Sequence, residues 1–295
     1  MDLITPAYRL AATIAQRLPQ RVVEGGGPWV ASLFALRPTP KRRMVERHQQ
    51  RVEPDLEGKA LRRRARAVYR SYGRYYAESF RLPATSESEL DRRFSSEGYE
   101  HFAKGLEGGI GMIVVLPHLG SWEWMAQWVA RFKGIPVTAV VERLEPPELF
   151  EWFTGFRREM GMHIVPLGPE AGKAVSQAVK AGHVIALLSD RDITGSGIEV
   201  DFFGERTTLP AGPATLALRT GATLLPVAMY DRPDGGHHAV VKPPIVVERQ
   251  GSFRQDVTRL TEEIAVVLEE LIRLAPEQWH LLQPNWPSDH DPVRL

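Results

Sequence analysis

From residue 109 onward the chain alternates short apolar runs with longer amphipathic stretches, and no other feature limits its fold so tightly. The runs VVLP, VTAVV, VIALLS and LLPVAMY are continuously apolar, and helical patterns such as SWEWMAQWVARFKG, PPELFEWFTGFRREMG, EAGKAVSQAVKAG and GPATLALRTG separate them. A strand covered on both faces reads as an unbroken apolar run, whereas a half-exposed one alternates. The alternation therefore predicts an α/β fold with a mainly parallel central sheet flanked by helices. The run AVVKPPIVVE predicts an edge strand, because Pro243 and Pro244 do not fit a central one. FRQDVTRLTEEIAVVLEELIRLAP predicts a long amphipathic helix, and the remaining residues read as proline-punctuated coil.

The amino-terminal quarter has a different texture. Apolar residues recur near the helical period over residues 3–18 and predict an amphipathic helix. Residues 25–27, all glycine, are expected to break it before a short apolar segment over residues 29–36. In LRRRARAVYRSYGRYYAESFRLP, Arg62, Arg63, Arg64, Arg66, Arg70 and Arg74 interleave with Tyr69, Tyr72, Tyr75 and Tyr76. Residues 1–80 carry 16 basic against 7 acidic side chains, a net of +9, although the whole chain is at +1. Such a helix suits a membrane interface, and it equally suits a helix packed on the protein with its arginines in water. The simplest division is a single domain over 1–295, with a helical, membrane-facing lead-in at 1–80 and a catalytic core at 109–283.

Several classes are excluded. There are no cysteines, which removes disulfides, thiolate metal sites and a cysteine nucleophile. No run approaches the roughly 18 apolar residues of a spanning helix, and the opening residues lack the pattern of a secretory signal. A nucleophile elbow of the GxSxG kind is absent. A nucleic-acid module on the Arg/Tyr segment is the non-enzyme alternative, but no binding motif accompanies it, and no nucleic-acid partner is expected. No metal site is expected either. His237 and His238 follow two glycines and read as a solvated hairpin tip, and His163, His183, His280 and His290 lack ligand spacing.

In an α/β sheet, ligands gather beyond the carboxyl ends of the strands. The first clear strand exits into Pro117-His118-Leu119-Gly120-Ser121-Trp122-Glu123. His118 is thus placed at a strand exit, Ser121 is suited to cap the next helix, and Glu123 falls in its first turn. A carboxylate close to an imidazole fixes its tautomer and supports it as a general base. On spacing alone, a histidine and a dipole-favoured glutamate at a helix start explain the pair equally well.

HLGSWEW after an apolar strand resembles the His–x4–Asp/Glu motif of the lysophospholipid acyltransferase superfamily, and of its lipid A acyltransferase branch in particular. VVERL, FRREMGMHIVPLG, LLSDRDITGSGIEVDFFGERTTLPAGPATLALRTGATLLPVAMY and APEQWHLL resemble further segments of that branch in the same order, over roughly residues 60–283. Within it the chain is most similar to actinobacterial phosphatidylinositol mannoside acyltransferases. The resemblance implies an O-acyltransferase that moves a fatty acyl chain from acyl-CoA to a sugar hydroxyl of an anionic glycolipid. Another glycolipid or a lysophospholipid is the alternative acceptor. It implies His118 as general base, Glu123 or Asp190 as its orienting carboxylate, and no covalent intermediate. Glu142 and Arg157 match charged positions of the active-site groove, with Arg158 taking the arginine's place if the match slips by one residue. Glu199, with Asp201, is a candidate contact to sugar hydroxyls. Trp122, Trp124, Trp128, Phe150, Trp152 and Phe153 are candidates for an acyl trough. Acyl-CoA is expected as co-substrate with no other cofactor, and a peripheral location on the cytoplasmic face of the cell membrane follows from the acceptor.

Overall fold

A computed structural model describes residues 4–290 of the 295. Residue 3 of the expected first helix and the last five residues of the expected terminal coil lie outside the described residues.

Four helices lead the chain: α1 (Ile4–Arg17), α2 (Gln20–Phe34), α3 (Pro40–Val52) and α4 (Gly58–Arg81). The break falls at Leu18–Pro19, not at the glycines, and α2 runs straight through residues 25–27. Intrinsic propensity disfavours glycine in a helix by about 1 kcal/mol each, but packing overrides it here. A Cβ on Gly27 would lie 2.8 Å from the Ala77 Cβ and 3.2 Å from the Gly73 carbonyl oxygen, and one on Gly73 would lie 2.4 Å from the Ala31 Cβ. Glycine at both positions lets α2 and α4 cross almost backbone to backbone.

Next come α5 (Glu87–Arg92), β1 (Phe94–Glu97), α6 (Tyr99–Leu106), β2 (Met112–Leu116) and α7 (Trp122–Gln127), the last continued by a π-helical turn over Trp128–Phe132. They are followed by β3 (Val137–Val141), α8 (Pro147–Glu159), β4 (Met162–Pro166), α9 (Ala171–Lys180) and β5 (Val184–Leu188). A hairpin of β6 (Ile198–Phe202) and β7 (Glu205–Leu209) follows, and α10 (Gly212–Thr220), β8 (Leu224–Asp231), β9 (His237–Val241) and α11 (Phe253–Leu274) complete the order. Ser252 and Gln255 start α11 with a reciprocal capping box.

The sheet runs β1-β9-β8-β2-β5-β3-β4. The five strands from β8 to β4 are parallel to one another, β9 pairs antiparallel to β8, and β1 lies parallel to β9. The expected mainly parallel sheet is present. The edge, however, is β1, while β9 is interior. Pro243 and Pro244 lie beyond the end of β9 and leave its ladder intact.

Side chains alternate across the sheet into two cores. Ile113, Val115, Ile185 and Ala228 face α9, α10, α11 and the hairpin, whereas Met112, Val114, Val184 and Val227 face α1, α4 and α5 to α8. Residues 277–290, expected as loose coil, pack onto the first of these cores. Trp279 and Trp286 are each 1% exposed and lie edge-to-face, and Trp286 stacks on Phe202. Burying two tryptophans removes enough apolar surface to fix an otherwise irregular segment.

Candidate active site

The sheet register brings the central pair together. β2 and β5 are neighbours with Leu116 opposite Leu188. Continuing that register two residues past both strand ends sets His118 beside Asp190. His118 Nδ1 lies 2.7 Å from Asp190 Oδ1, and the His118 amide donates to Oδ2 at 3.0 Å. The Trp279 indole N–H donates to the same Oδ2 at 2.8 Å, and the Asn285 amide donates to the Asp190 carbonyl at 3.0 Å. Asp190 is fully buried while the His118 side chain is 31% exposed.

Burial alone would raise the Asp190 pKa. The His118 ring, the indole and the His118 amide outweigh it and hold the carboxyl below its ordinary value. An anionic Asp190 only accepts, so neutral His118 donates from Nδ1 and keeps the lone pair of Nε2. That tautomer is the one a general base requires.

The turn after His118 is fixed on three sides. Gly120 has φ +55°, and a Cβ there would lie 2.1 Å from the Met229 carbonyl oxygen, so only glycine fits. Its amide donates to the Gln278 carbonyl at 3.0 Å, and the His280 amide donates to the His118 carbonyl at 2.7 Å. Ser121 stands at the start of α7 but does not cap it. Its hydroxyl instead donates to Glu78 Oε2, a buried carboxylate of α4, at 3.1 Å.

Glu123 does not turn to His118 for a hydrogen bond. Its Oε1 accepts from Arg157 Nε at 2.7 Å, and the Arg157 guanidinium lies 5.6 Å from the ring centres of both Trp122 and Phe153. Burial would lower the Arg157 pKa, but the interactions with Glu123 and Tyr75 raise it overall, so the guanidinium stays charged. Arg158, one residue on, points to solvent. Glu142 is exposed at the cavity rim and lies 3.6 Å from Arg191, which therefore pairs with Glu142 rather than with its neighbour Asp190. Glu199 and Asp201 lie on the hairpin, 3.4 and 3.5 Å from Arg206, and line no part of the cavity.

His118 opens onto a cavity of about 990 Å³. One end is walled by Tyr8, Tyr72, Tyr75, Tyr76, Trp122 and Phe153, and the other by Lys173, Lys180, Arg191 and Arg219. Of the aromatics expected to line a trough, Trp122 and Phe153 do so. Trp124 stacks on His237, Trp128 stacks on Phe94, Phe150 is buried, and Trp152 packs on Phe156, all as parts of the core.

The family model for bacterial lipid A biosynthesis acyltransferases matches residues 5–288. The chain belongs to that family. Among curated proteins, a phosphatidylinositol mannoside acyltransferase of Mycolicibacterium smegmatis is 34% identical over 285 residues, covering 96% of this chain and 90% of the relative. A protein of the same name from Mycobacterium tuberculosis is 36% identical over 228 residues, covering 76% of this chain and 70% of the relative. The protein is an acyltransferase of lipid biosynthesis, as the motif order indicated.

Three parts of the site were not legible in the sequence. The tyrosines of α4 read as part of a basic interfacial helix, yet Tyr72, Tyr75 and Tyr76 turn inward. Trp279 and His280 lay in a segment read as coil, and only the terminal tryptophan within a family-like stretch signalled them. His280 is buried beside His118, with Nε2 2.8 Å from the Ser71 hydroxyl, and its pKa is driven down to about 4, chiefly by burial. It is neutral at ordinary pH.

His237 also departs from expectation. It is fully buried, because β9 is an interior strand whose alternate residues enter the core. Its Nδ1 lies 3.0 Å from Asp231 Oδ1, and its Nε2 lies 3.6 Å from Glu78 Oε2. These three groups converge closely enough to hold a cation. Arg74 and Arg93 lie 3.0 and 3.3 Å from Glu78, however, and bring positive charge against the cluster. The cluster braces Ser121 and the turn after His118 from below.

Proposed function

We propose that this acyltransferase moves a fatty acyl chain from acyl-CoA to a sugar hydroxyl of a membrane glycolipid, a phosphatidylinositol mannoside being the first choice. The observation that carries the reading is His118, paired with the buried carboxylate of Asp190 and opening onto a cavity lined by aromatic and by cationic side chains. His118 Nε2 takes the proton of the acceptor hydroxyl as its oxygen attacks the thioester carbonyl. The tetrahedral intermediate collapses, the C–S bond breaks, and the imidazolium returns the proton to the departing thiolate. Asp190 stabilises the imidazolium between these steps. No electrons are exchanged, and the acyl group, the proton and the thiolate are all accounted for by the two substrates and His118.

Arg157, held by Glu123 at the aromatic end, offers its remaining N–H groups to hydroxyls of the acceptor's head group, and Glu142 at the rim, beside Arg191, accepts from sugar hydroxyls. Lys173 and Lys180 have no carboxylate within ion-pair reach among the described residues, and Arg219 only a contact with Phe253 at 5.6 Å. Three unpaired cations on one rim suit the phosphates of acyl-CoA. The relatives' names supply the acceptor class.

No helix among the described residues is long and apolar enough to cross a membrane. The acceptor is reached from the water side instead, and we infer a peripheral attachment to the anionic inner leaflet. Trp29 and Phe34 of α2 are 63% and 65% exposed, and Leu10, Val22 and Val30 add to the same two-helix apolar surface. Arg62, Arg63, Arg66 and Arg70 of α4 are exposed and unpaired among the described residues. Apolar insertion together with basic side chains is the combination that anchors interfacial helices.

The test is incubation of the purified protein with palmitoyl-CoA and a panel of acceptors: phosphatidylinositol mannosides, other glycolipids and lysophosphatidylinositol. Mass spectrometry then reads an added acyl group. A mannoside product that fails to form with His118→Ala supports the reading. Acylation of lysophosphatidylinositol alone, or of no acceptor, overturns it.

A further inference from the structure

We propose that the groove between α1, α2 and α4 is a second lipid site, which holds an acyl chain of the anionic glycolipid acceptor while its head group occupies the His118 cavity. This rests on the acceptor class proposed above and adds a place for the part of the acceptor that does not react. The groove encloses about 1250 Å³, above the roughly 300–1,000 Å³ of a drug-sized ligand pocket.

Two observations select the occupant. The first is continuity with the catalytic cavity. Tyr72 and Tyr76 of α4 line both spaces, with their hydroxyls 3.1 Å apart and their rings edge-to-face at 4.9 Å. These two side chains form the wall between them, so a molecule bound in the groove adjoins the chemistry. The second is charge. The groove is apolar along Ile14, Val22, Val30 and Phe34, all of them exposed, and ends at Arg37 and Lys41. Neither cation has a carboxylate within ion-pair reach among the described residues. An apolar slot ending at two free cations matches a hydrocarbon chain attached to a phosphate.

The glycines of α2 keep the slot open. Gly27 is committed to the contact with Gly73, but a Cβ on Gly26 would meet nothing within 4 Å. Gly26→Leu therefore projects a side chain into the open slot without a clash, and it replaces a poor helix former by a good one.

The experiment uses phosphatidylcholine vesicles doped with phosphatidylinositol whose acyl chain carries a diazirine, irradiated with the full chain and no acyl-CoA. Cross-linked peptides are mapped by mass spectrometry. Saturable labelling within residues 11–34 is expected. Gly26→Leu should lose it with an unchanged or higher thermal midpoint. Arg37→Gln with Lys41→Gln should weaken it several-fold for phosphatidylinositol but not for an equivalent phosphatidylcholine probe. Labelling confined to residues 139–153 of the catalytic cavity overturns the proposal. So does labelling indifferent to Gly26→Leu, or cross-links joining two copies through the groove. If the variant does not fold, saturation and anion preference of the wild-type labelling decide alone. Transfer activity measured in parallel separates the two readings: product without groove labelling refutes the groove only, and groove labelling without any product refutes the acceptor assignment only.

Discussion

Asp190→Asn is the substitution whose outcome the site geometry dictates most closely. Oδ2 of Asp190 receives two donors, the His118 amide at 3.0 Å and the Trp279 indole at 2.8 Å, whereas Oδ1 faces only His118 Nδ1. An asparagine here must turn its single oxygen toward the two donors, because the opposite orientation would set an NH₂ against two N–H groups, each buried and unsatisfied at about 1–3 kcal/mol. Its NH₂ then faces His118 Nδ1, which becomes an acceptor. The imidazole proton is forced onto Nε2, the atom that must take the acceptor's proton, and the base is lost although every other contact survives. The same tautomeric inversion in Ser-His-Asp enzymes costs about 10⁴-fold in kcat, and general-base loss spans about 10²–10⁴-fold. A kcat decrease in that range is expected, with little change in KM and in thermal midpoint. Glu123→Gln should act differently, since it breaks the ion pair to Arg157 and leaves Asp190 in place. Its main effect should be a higher KM for the anionic acceptor. Steady-state kinetics with palmitoyl-CoA and the acylated acceptor measured by mass spectrometry read both. A folded Asp190→Asn enzyme with kcat within a few-fold of wild type would refute the His118–Asp190 assignment, and a kcat collapse confined to Glu123→Gln would transfer the role to Glu123.

Trp279→Phe keeps the ring but removes the indole donor, leaving Asp190 more basic. It should lower kcat by about ten- to a hundredfold at most, the scale of one hydrogen bond to a charged group, and move the acidic limb of the pH–rate profile upward, because a more basic carboxylate holds the His118 proton more tightly. A change in thermal midpoint with an unmoved profile would make Trp279 merely structural. Acid should destabilise the fold: Asp190 is depressed and Asp231 is driven down to about 2, its hydrogen bond and charge interaction with His237 and the charge of Arg74 overcoming burial. Carboxyls depressed in the folded state stabilise it above their unfolded pKa, and that stability is lost as pH falls through the folded values, here from about pH 4 towards 2; circular dichroism showing no loss of stability over that interval would contradict the two assignments. Changing Arg62, Arg63, Arg64 and Arg66 to Gln should weaken co-sedimentation with anionic liposomes and its sensitivity to salt, while Trp29→Ser with Phe34→Ser should weaken binding to neutral liposomes as well. Equal binding by all three proteins would remove both helical surfaces from the membrane contact.

What could be read from the residues follows from how local each determinant is. β2, β3, β5 and β8 were legible because burial on both faces leaves a continuous apolar run, and His118 was legible because a strand exit in a parallel sheet is where ligands collect. The choice between Glu123 and Asp190 was not legible, since it depends on β2 and β5 being neighbours in register, a pairing between residues 72 apart in the chain. Glu123 is nearer in sequence, but α7 carries it toward Arg157 on α8. The same distinction explains α2 and β9. Three glycines read locally as a helix break, yet the contact that requires glycine at residue 27 comes from Gly73 on α4. Two histidines after two glycines read as a solvated tip, yet β1 adds to the far side of β9 and draws His237 into the core.

The cavity's closure raises the same issue in a form that bears on function. A parallel sheet places a histidine at a strand end by itself, but a base exposed on an open sheet edge would be surrounded by water, which competes for the acyl group. Here α4 supplies the tyrosine wall, and residues 277–290 supply His280, packed on Tyr72 and Tyr75, together with Trp279 and Asn285, which hold Asp190. Both come from segments outside the strand–helix alternation, and both read in isolation as something else, an interfacial helix and a loose tail. Their apolar and hydrogen-bonding groups make sense only once the sheet has brought His118 and Asp190 together. In α4 the two readings are compatible: its arginines at residues 62, 63, 66 and 70 remain in solvent while its tyrosines turn inward, so one amphipathic helix serves the cavity with one face and keeps a basic face free for the anionic leaflet proposed above.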